Sequence, residues 1–314
     1  MYFCISFHEE ILKRMHTDYQ KHIIDILGRN SDIKFIILGG IHGNEINGIE
    51  AIEKILPVLK KKFDPNKGQI YFLKGNLPAL EKKERFIHHD LNRLWLDKYI
   101  GNNTSEIVEL KSLNDLQQLI IRDICKGKYD NCIFLDLHTF SAKSGVFAIP
   151  ACNAKSLAFA HSFGVPFIDK LSGKLPGTAL SYWGKKGMTS MVFEGGTHQT
   201  PEATENLMAA IWHSLAYFNL VDDQLPEVIQ GRNRLKGISE NLPHHLELAY
   251  RHQLSDNQKF EMKPGYYNFK PIKKNEALAN QDLEIIKSPE TGFMLMPLYQ
   301  KKGSDGFFIV KEKK

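Results

Sequence analysis

Hydrophobic positions along the chain follow two rhythms in alternation, which predicts a layered α/β protein. Short, mostly apolar runs predict buried strands. They are Phe35-Ile36-Ile37-Leu38 before Gly39-Gly40, Ile70-Tyr71-Phe72-Leu73 before Gly75-Asn76, Ile133-Phe134-Leu135-Asp136-Leu137, Val146-Phe147-Ala148-Ile149-Pro150, and Met191-Val192-Phe193 before Glu194-Gly195-Gly196. Between them the spacing becomes helical. Ile49, Ile52, Ile55, Leu56 and Leu59 share one helix face, and Ile107, Leu110, Leu113, Leu116 and Leu119 predict a long helix from about Ser105 to Lys126. Thr200-Pro201-Glu202 supplies an N-cap, a first-turn proline and an acid, so a helix is expected from there to about Asn219. After Asp222 the pattern breaks into short runs punctuated by Gly and Pro, such as Lys263-Pro264-Gly265-Tyr266-Tyr267 and Gly306-Phe307-Phe308-Ile309-Val310. The expected division is therefore an α/β domain over 1–221 and a smaller β-rich domain over 222–314.

Composition changes this picture little. At 314 residues, 42% hydrophobic and 25% charged, the chain suits one large or two unequal globular domains. The net charge of +5 is modest, and Lys60-Lys61-Lys62 and the Lys311–Lys314 tail read as solvated faces, so no nucleic-acid partner is expected. Cys4, Cys125, Cys132 and Cys152 form no C-x-x-C pair, which argues against a thiolate zinc cluster and a disulfide framework. No basic n-region precedes the apolar start, and no run approaches the roughly 18 apolar residues of a membrane span. A cytoplasmic protein without a membrane partner is the expectation.

The residues that carry chemistry follow the predicted strands. Gly40-Ile41-His42-Gly43-Asn44-Glu45 sets an imidazole and a carboxylate three positions apart at a strand-to-helix turn, a possible half of a catalytic zinc site. His138 follows a strand that should end at the same sheet edge, where ligands of open α/β sheets collect. Asp136 shares its face: it either accepts the free N–H of a metal-bound imidazole or caps the next turn. Arg85-Phe86-Ile87-His88-His89-Asp90-Leu91-Asn92-Arg93 reads either as a fork for a carboxylate with a donor for an oxyanion, or as a solvated basic loop. Glu194 reads as a general base or as a structural turn acid. His88 and His89 are not expected to build a second metal site. His198 is a candidate for the cleft wall, Trp95 for the core and His244-His245 for the surface.

Four motifs taken together are more specific. Gly40 through Glu45, Gly75-Asn76-Leu77-Pro78-Ala79, Arg85 through Arg93, and Asp136-Leu137-His138-Thr139 occur in an order and spacing that resemble the succinylglutamate desuccinylase/aspartoacylase family, relatives of the zinc carboxypeptidases. The resemblance covers roughly residues 35–220 and implies a zinc-carboxypeptidase-like mixed sheet flanked by helices, with a smaller C-terminal β-rich domain over the cleft. It implies one Zn2+ per chain on His42, Glu45 and His138. Glu194 is implied as the base that activates the metal-bound water and protonates the leaving amine. Arg85 would polarise the scissile carbonyl, and Asn92 and Arg93 would hold the carboxylate of a small anionic N-acyl amino acid. The implied activity is deacylation of that substrate. A metallocarboxypeptidase or peptide amidase on the same zinc site is the alternative, and a silent binding protein is disfavoured by the intact residue set. One departure stands out: an arginine that the aspartoacylase branch places before the base is missing from Leu180-Ser181-Tyr182-Trp183-Gly184-Lys185-Lys186-Gly187, where only a lysine offers charge. A tyrosine from that branch's C-terminal domain likewise has no counterpart in Gly303-Ser304-Asp305-Gly306-Phe307-Phe308.

Overall fold

The computed structural model describes residues 17–29, 31–99, 101, 106–255 and 258–313, so Cys4, Ser105 and the start of the chain lie outside the described residues. Its strands are β1 (Ile23–Leu27), β2 (Lys34–Gly39), β3 (Gln69–Lys74), β4 (Cys132–Phe140), β5 (Phe147–Pro150), β6 (Phe167–Asp169) and β7 (Thr189–Thr197). There follow β8 (His245–Gln253), β9 (Phe260–Met262), β10 (Pro271–Ile272), β11 (Ala277–Gln281), β12 (Glu284–Lys287), β13 (Gly292–Leu295) and β14 (Asp305–Glu312). Eleven of them form one mixed sheet in the order β1-β3-β2-β4-β7-β5-β6-β8-β14-β13-β10, and β12-β11-β9 form a small separate sheet.

The apolar runs become central strands because both faces of the sheet are covered. Phe35 and Ile37 of β2 lie in one buried cluster with α1 (Asn47–Lys62), while Ile36 and Leu38 lie in another, as the period of two requires. β2, β4 and β7 run parallel, Gly39 beside Leu137 and His138 beside Glu194, so their carboxyl ends share one edge. β4 and β7 extend past their predicted ends, to Phe140 and Thr197. His138 and Glu194 therefore sit within hydrogen-bonded strands, which fixes their side chains more firmly than loops do.

Among the helices, α2 (Leu77–Lys82) is capped by Asn76, whose side chain accepts from the Ala79 N–H. The helix expected near 105–126 is α3 (Glu109–Gln118) followed by a π-helical turn, Leu119–Ile124. The wider turn stacks Ile124 rather than Asp123 beneath Leu119, and Leu119, Ile120 and Ile124 are all buried. α4 (Ala154–Ser162) and α5 (Ala179–Lys185) flank the second half of the sheet. α6 (Pro201–Tyr217) begins as expected, with Thr200 accepting from Ala203 N.

One helix, α7 (Pro226–Ser239), lies in a stretch whose sequence reads as β-rich. Its buried positions are Val228, Gly231, Leu235 and Ser239, and Gly231 lies against Ala209 of α6. Two of the four are small, so close packing replaced the apolar stripe that marks a helix. Beyond it β8 and β14 pair, and β8 also pairs with β6, so C-terminal strands extend the main sheet. Of the lysine run, Lys60 pairs with Asp25 and Lys62 with Glu227 of α7. No helix among the described residues is long and apolar enough to cross a membrane.

His213 on α6 is buried, accepts from Arg232 Nε at Nδ1 (3.2 Å), and lies 2.9 Å from Ser162 Oγ through Nε2. The ring is satisfied only when Nδ1 is bare. Burial first, then the Arg232 charge, lowers its pKa from 6.5 to about 4. The unfolded chain therefore binds the extra proton between those values, and this contribution to stability, intact above 6.5, is lost as pH falls toward 4. The full loss is about 3 kcal/mol. Urea midpoints of wild type and His213→Gln at pH 7 and pH 4 test this: wild type should lose that much more than the variant.

Candidate functional site

The site grows from the turn after β2. Gly40 takes φ +73°, a left-handed conformation, and Gly43 passes so close to Ala79 that a Cβ would fall 2.1 Å from that residue's carbonyl carbon and oxygen. Gly43 N–H also donates to Arg85 O. The turn is thus pressed against α2 and the arginine loop, which explains the Gly75–Ala79 motif: Gly75 and Asn76 donate to Gly39 and Gly40 carbonyls while Asn76 caps α2.

His42, Glu45 and His138 converge, all buried, with ligand atoms within 4.8 Å of one another. Among the described residues this is the one group of three or more such side chains. His42 Nδ1 lies 2.8 Å from Glu45 Oε1, and His138 Nδ1 lies 3.1 Å from Glu45 Oε2. The far nitrogens face carboxylates in turn. His42 Nε2 is 3.0 Å from Asp90 Oδ1, and His138 Nε2 is 3.1 Å from Asp136 Oδ2. With His42 Nε2 hydrogen-bonded to Asp90 and His138 Nε2 facing the Asp136 carboxylate, the two Nδ1 atoms and the Glu45 carboxylate all point at one spot. Three electron-pair donors facing one another require a shared proton or a cation between them, so the residues present fit a metal ion. The carboxylates around His138 favour its protonated form. Burial works against it, yet Asp136 and Glu45 hold His138 well above the usual histidine range; burial likewise opposes ionising Glu45, but the two histidines hold it well below the carboxylate range.

Asp90 is the residue that sequence reasoning missed. It orients His42 as Asp136 faces His138, caps the turn Leu91–Arg93 through Asn92 N–H, and lies 3.5 Å from Arg85 NH2. Burial is outweighed by His42 and Arg85, which keep it well below the carboxylate range. Its place in the Arg85–Arg93 motif was visible, but nothing in the spacing tied it to a histidine 48 residues away.

Arg85 donates NH1 to Glu45 Oε1 at 3.0 Å and keeps a buried Nε without a partner. Asn92 Oδ1 accepts from Ala179 N–H, which leaves its Nδ2 as the free donor. Arg93 donates to its neighbour's carbonyl and to Asp305 Oδ2 (3.0 Å), and its Nε is also unpartnered. Glu194 stands beside His138 on β7, buried, with Oε2 lacking a hydrogen bond. Burial, reinforced by the like charges of Glu45 and Asp136, pushes its pKa up to about 8 against the pull of His138 and Arg85. All seven predicted site residues line one cavity of about 120 Å3, together with Met296, Gln300 and Asp305 from the C-terminal segment.

The arginine loop is not a solvated basic stretch. Ile87, His88 and His89 donate backbone N–H groups to the fully buried Glu109 carboxylate at 2.7–3.3 Å, an anchor without which that carboxylate loses its donors. Glu109→Ala should destabilise the protein by about 3 kcal/mol in urea unfolding. An unchanged midpoint would mean that the loop is held elsewhere. His88 and His89 are exposed, His198 bonds Thr139 Oγ1 beside the site at 2.7 Å, Trp95 is core, His244 is exposed, and His245 stacks on Phe167.

Comparison with known proteins gives a consistent result. Residues 31–191 match the family described as the succinylglutamate desuccinylase/aspartoacylase catalytic domain. Succinylglutamate desuccinylase of Pseudomonas paraeruginosa is 29% identical over 117 residues, 37% of this chain and 34% of that protein. Its namesake from Ectopseudomonas mendocina is 24% identical over 259 residues, 76% of this chain and 73% of that one. The chain thus aligns with about a third of the first relative's length and nearly three quarters of the other's. A crystal structure of succinylglutamatedesuccinylase/aspartoacylase from Rhodobacter sphaeroides superposes with a TM-score of 0.66 at 18% identity, over 92% of this chain and 88% of that chain, a likeness of fold. With the matched residues spanning β2 to the start of β7, and so His42, Glu45 and His138, the chain belongs to the succinylglutamate desuccinylase/aspartoacylase family.

Proposed function

We propose that the chain is a zinc-dependent hydrolase that releases an amino acid from a small N-acyl amino acid. The observation carrying this reading is that a three-ligand cluster, an uncommitted buried carboxylate and an arginine–asparagine pair share one cavity. His42, Glu45 and His138 would hold one Zn2+ per chain, two histidines and a glutamate being a common catalytic set. When bound, the ion supplies a Lewis acid for the carbonyl oxygen and makes a water molecule more acidic.

The chain's own residues do the rest. Glu194 takes the proton of the attacking water and returns it to the leaving nitrogen, and a pKa raised toward neutrality suits both transfers. Arg85, steadied by Glu45 and Asp90, offers N–H donors to the oxyanion. Asn92 Nδ2 and the Arg93 guanidinium hold the substrate carboxylate. Residues 222–314 act as the domain that narrows the cleft, since Met296, Gln300 and Asp305 form part of its wall. A cavity of about 120 Å3 favours a small substrate over the peptides of a carboxypeptidase. The free thiols Cys125, Cys132 and Cys152 support a cytoplasmic setting.

The test is metal content beside hydrolysis of N-acyl amino acids and a dipeptide. About one zinc per chain and chelator-sensitive release of a free amino acid are expected. A protein that takes up no zinc even when it is supplied ends this reading.

A further inference from the structure

The deacylase reading leaves open which amino acid is released, and the cavity wall bears on it. An amino acid's side chain leaves the same carbon that bears its carboxylate. With the carboxylate at Asn92 and Arg93, the side chain must enter the neighbouring wall. That wall is apolar. Leu180 adjoins Ala179, whose N–H holds Asn92, and lines the cavity with Leu175; the hydroxyls beside them are engaged, Thr178 donating to Leu175 O and Ser172 lying 3.2 Å from Cys152 Sγ. Val192 sits two residues before Glu194 on the same face of β7, and Ile149 pairs with it across β5.

Charge points the same way. The basic side chains lining the cavity, among the described residues, are His42, Arg85, His138 and Arg93. His42 and His138 belong to the metal cluster, Arg85 is committed to Glu45 and the oxyanion, and Arg93 is needed for the α-carboxylate. Arg251 is not among the lining side chains and is drawn to Asp305, its Nε donating to Asp305 Oδ1 at 2.6 Å and its NH1 to Lys174 O. Lys185 and Lys186, the lysines in the stretch that lacks an arginine, line a separate pocket with Trp95 and Tyr182 and do not reach this cleft. A second carboxylate would therefore lie unpaired among Leu175, Leu180 and Val192, with the Asp305 anion in the same wall.

We infer that the amino acid this chain releases carries an uncharged, apolar side chain, an inference that rests on the deacylase reading. It sets the chain apart in chemistry from relatives named for succinylglutamate. Leu180 is the residue through which this preference can be altered, because it lines the cavity next to Ala179, whose N–H holds Asn92.

The experiment uses the zinc-loaded full chain and an N-acetyl series with leucine, methionine, phenylalanine, aspartate, glutamate and lysine. kcat/KM for the apolar members should exceed that for the acidic members by about 100-fold. Leu180→Arg should narrow the ratio at least tenfold by giving the second carboxylate a partner. A wild-type preference for aspartate or glutamate, or rates within threefold of the apolar members, overturns the inference, as does a preference for lysine, which would assign Asp305 to an ammonium group. Hydrolysis of no member by zinc-loaded protein instead ends the deacylase reading, so the two failures are distinct. The wild-type panel decides the matter even if Leu180→Arg does not fold.

Discussion

Glu194→Gln is expected to lower kcat by about a thousandfold while zinc stoichiometry stays at wild-type level. The amide has nearly the shape of the carboxylate and cannot accept the proton of water, so the substitution removes proton transfer with little change in volume. Glu194 is outside the three-residue ligand cluster, and it is held in β7 by backbone pairing with β4 and β5 that the side chain does not enter. Its Oε2 makes no hydrogen bond, so the swap breaks no contact there. Burial places its pKa at about 8, close to the range in which a base both takes and returns a proton efficiently. Single-turnover kinetics beside metal analysis would separate the steps. A rate within tenfold of wild type at full zinc occupancy would reassign the base.

Some of this site was legible in the chain and some was not, for reasons that differ by residue. His42 and Glu45 were legible because their contact is local, three residues apart across one glycine-bounded turn. His138 and Glu194 were legible from strand ends, although glycines after Glu194 misled on where the strand stops: Gly195 and Gly196 span an irregularity in the pairing, and the strand resumes at Thr197 opposite Phe140. The strand order was not legible, since β7 lies between β4 and β5 only through long crossovers. Asp90 and Asp305 were missed for a shared reason. Each acts on a partner 48 or 212 residues away, and an isolated acidic residue carries no periodic signal of that. Helix α7 failed differently, because Gly231 and Ser239 replace large apolar residues on its packing face.

Replacing His138 with Ala should abolish stoichiometric zinc and lower kcat/KM by about 10⁴, roughly what losing an essential catalytic group entails. Two ligands remain in the variant, His42 and Glu45, and a catalytic zinc ordinarily needs three protein donors. The effect has a second readout that does not depend on turnover. A ligand that binds only the folded chain stabilises it, by about 2.7 kcal/mol when its free concentration is a hundred times Kd. Wild type should therefore melt higher with zinc than with chelator, and His138→Ala should melt alike in both. Asp136→Asn gives the graded case: Asp136 faces the ring from behind, so zinc affinity should fall about 10–100-fold without vanishing. Against burial, Asp136 and Glu45 hold the His138 pKa well above the usual histidine range, so a dication bound at its Nδ1 must displace a proton. Zinc uptake should accordingly release protons and strengthen as pH rises. A wild-type melting point indifferent to zinc would leave the cluster as a buried proton-sharing network, and the hydrolase reading would lose its cation.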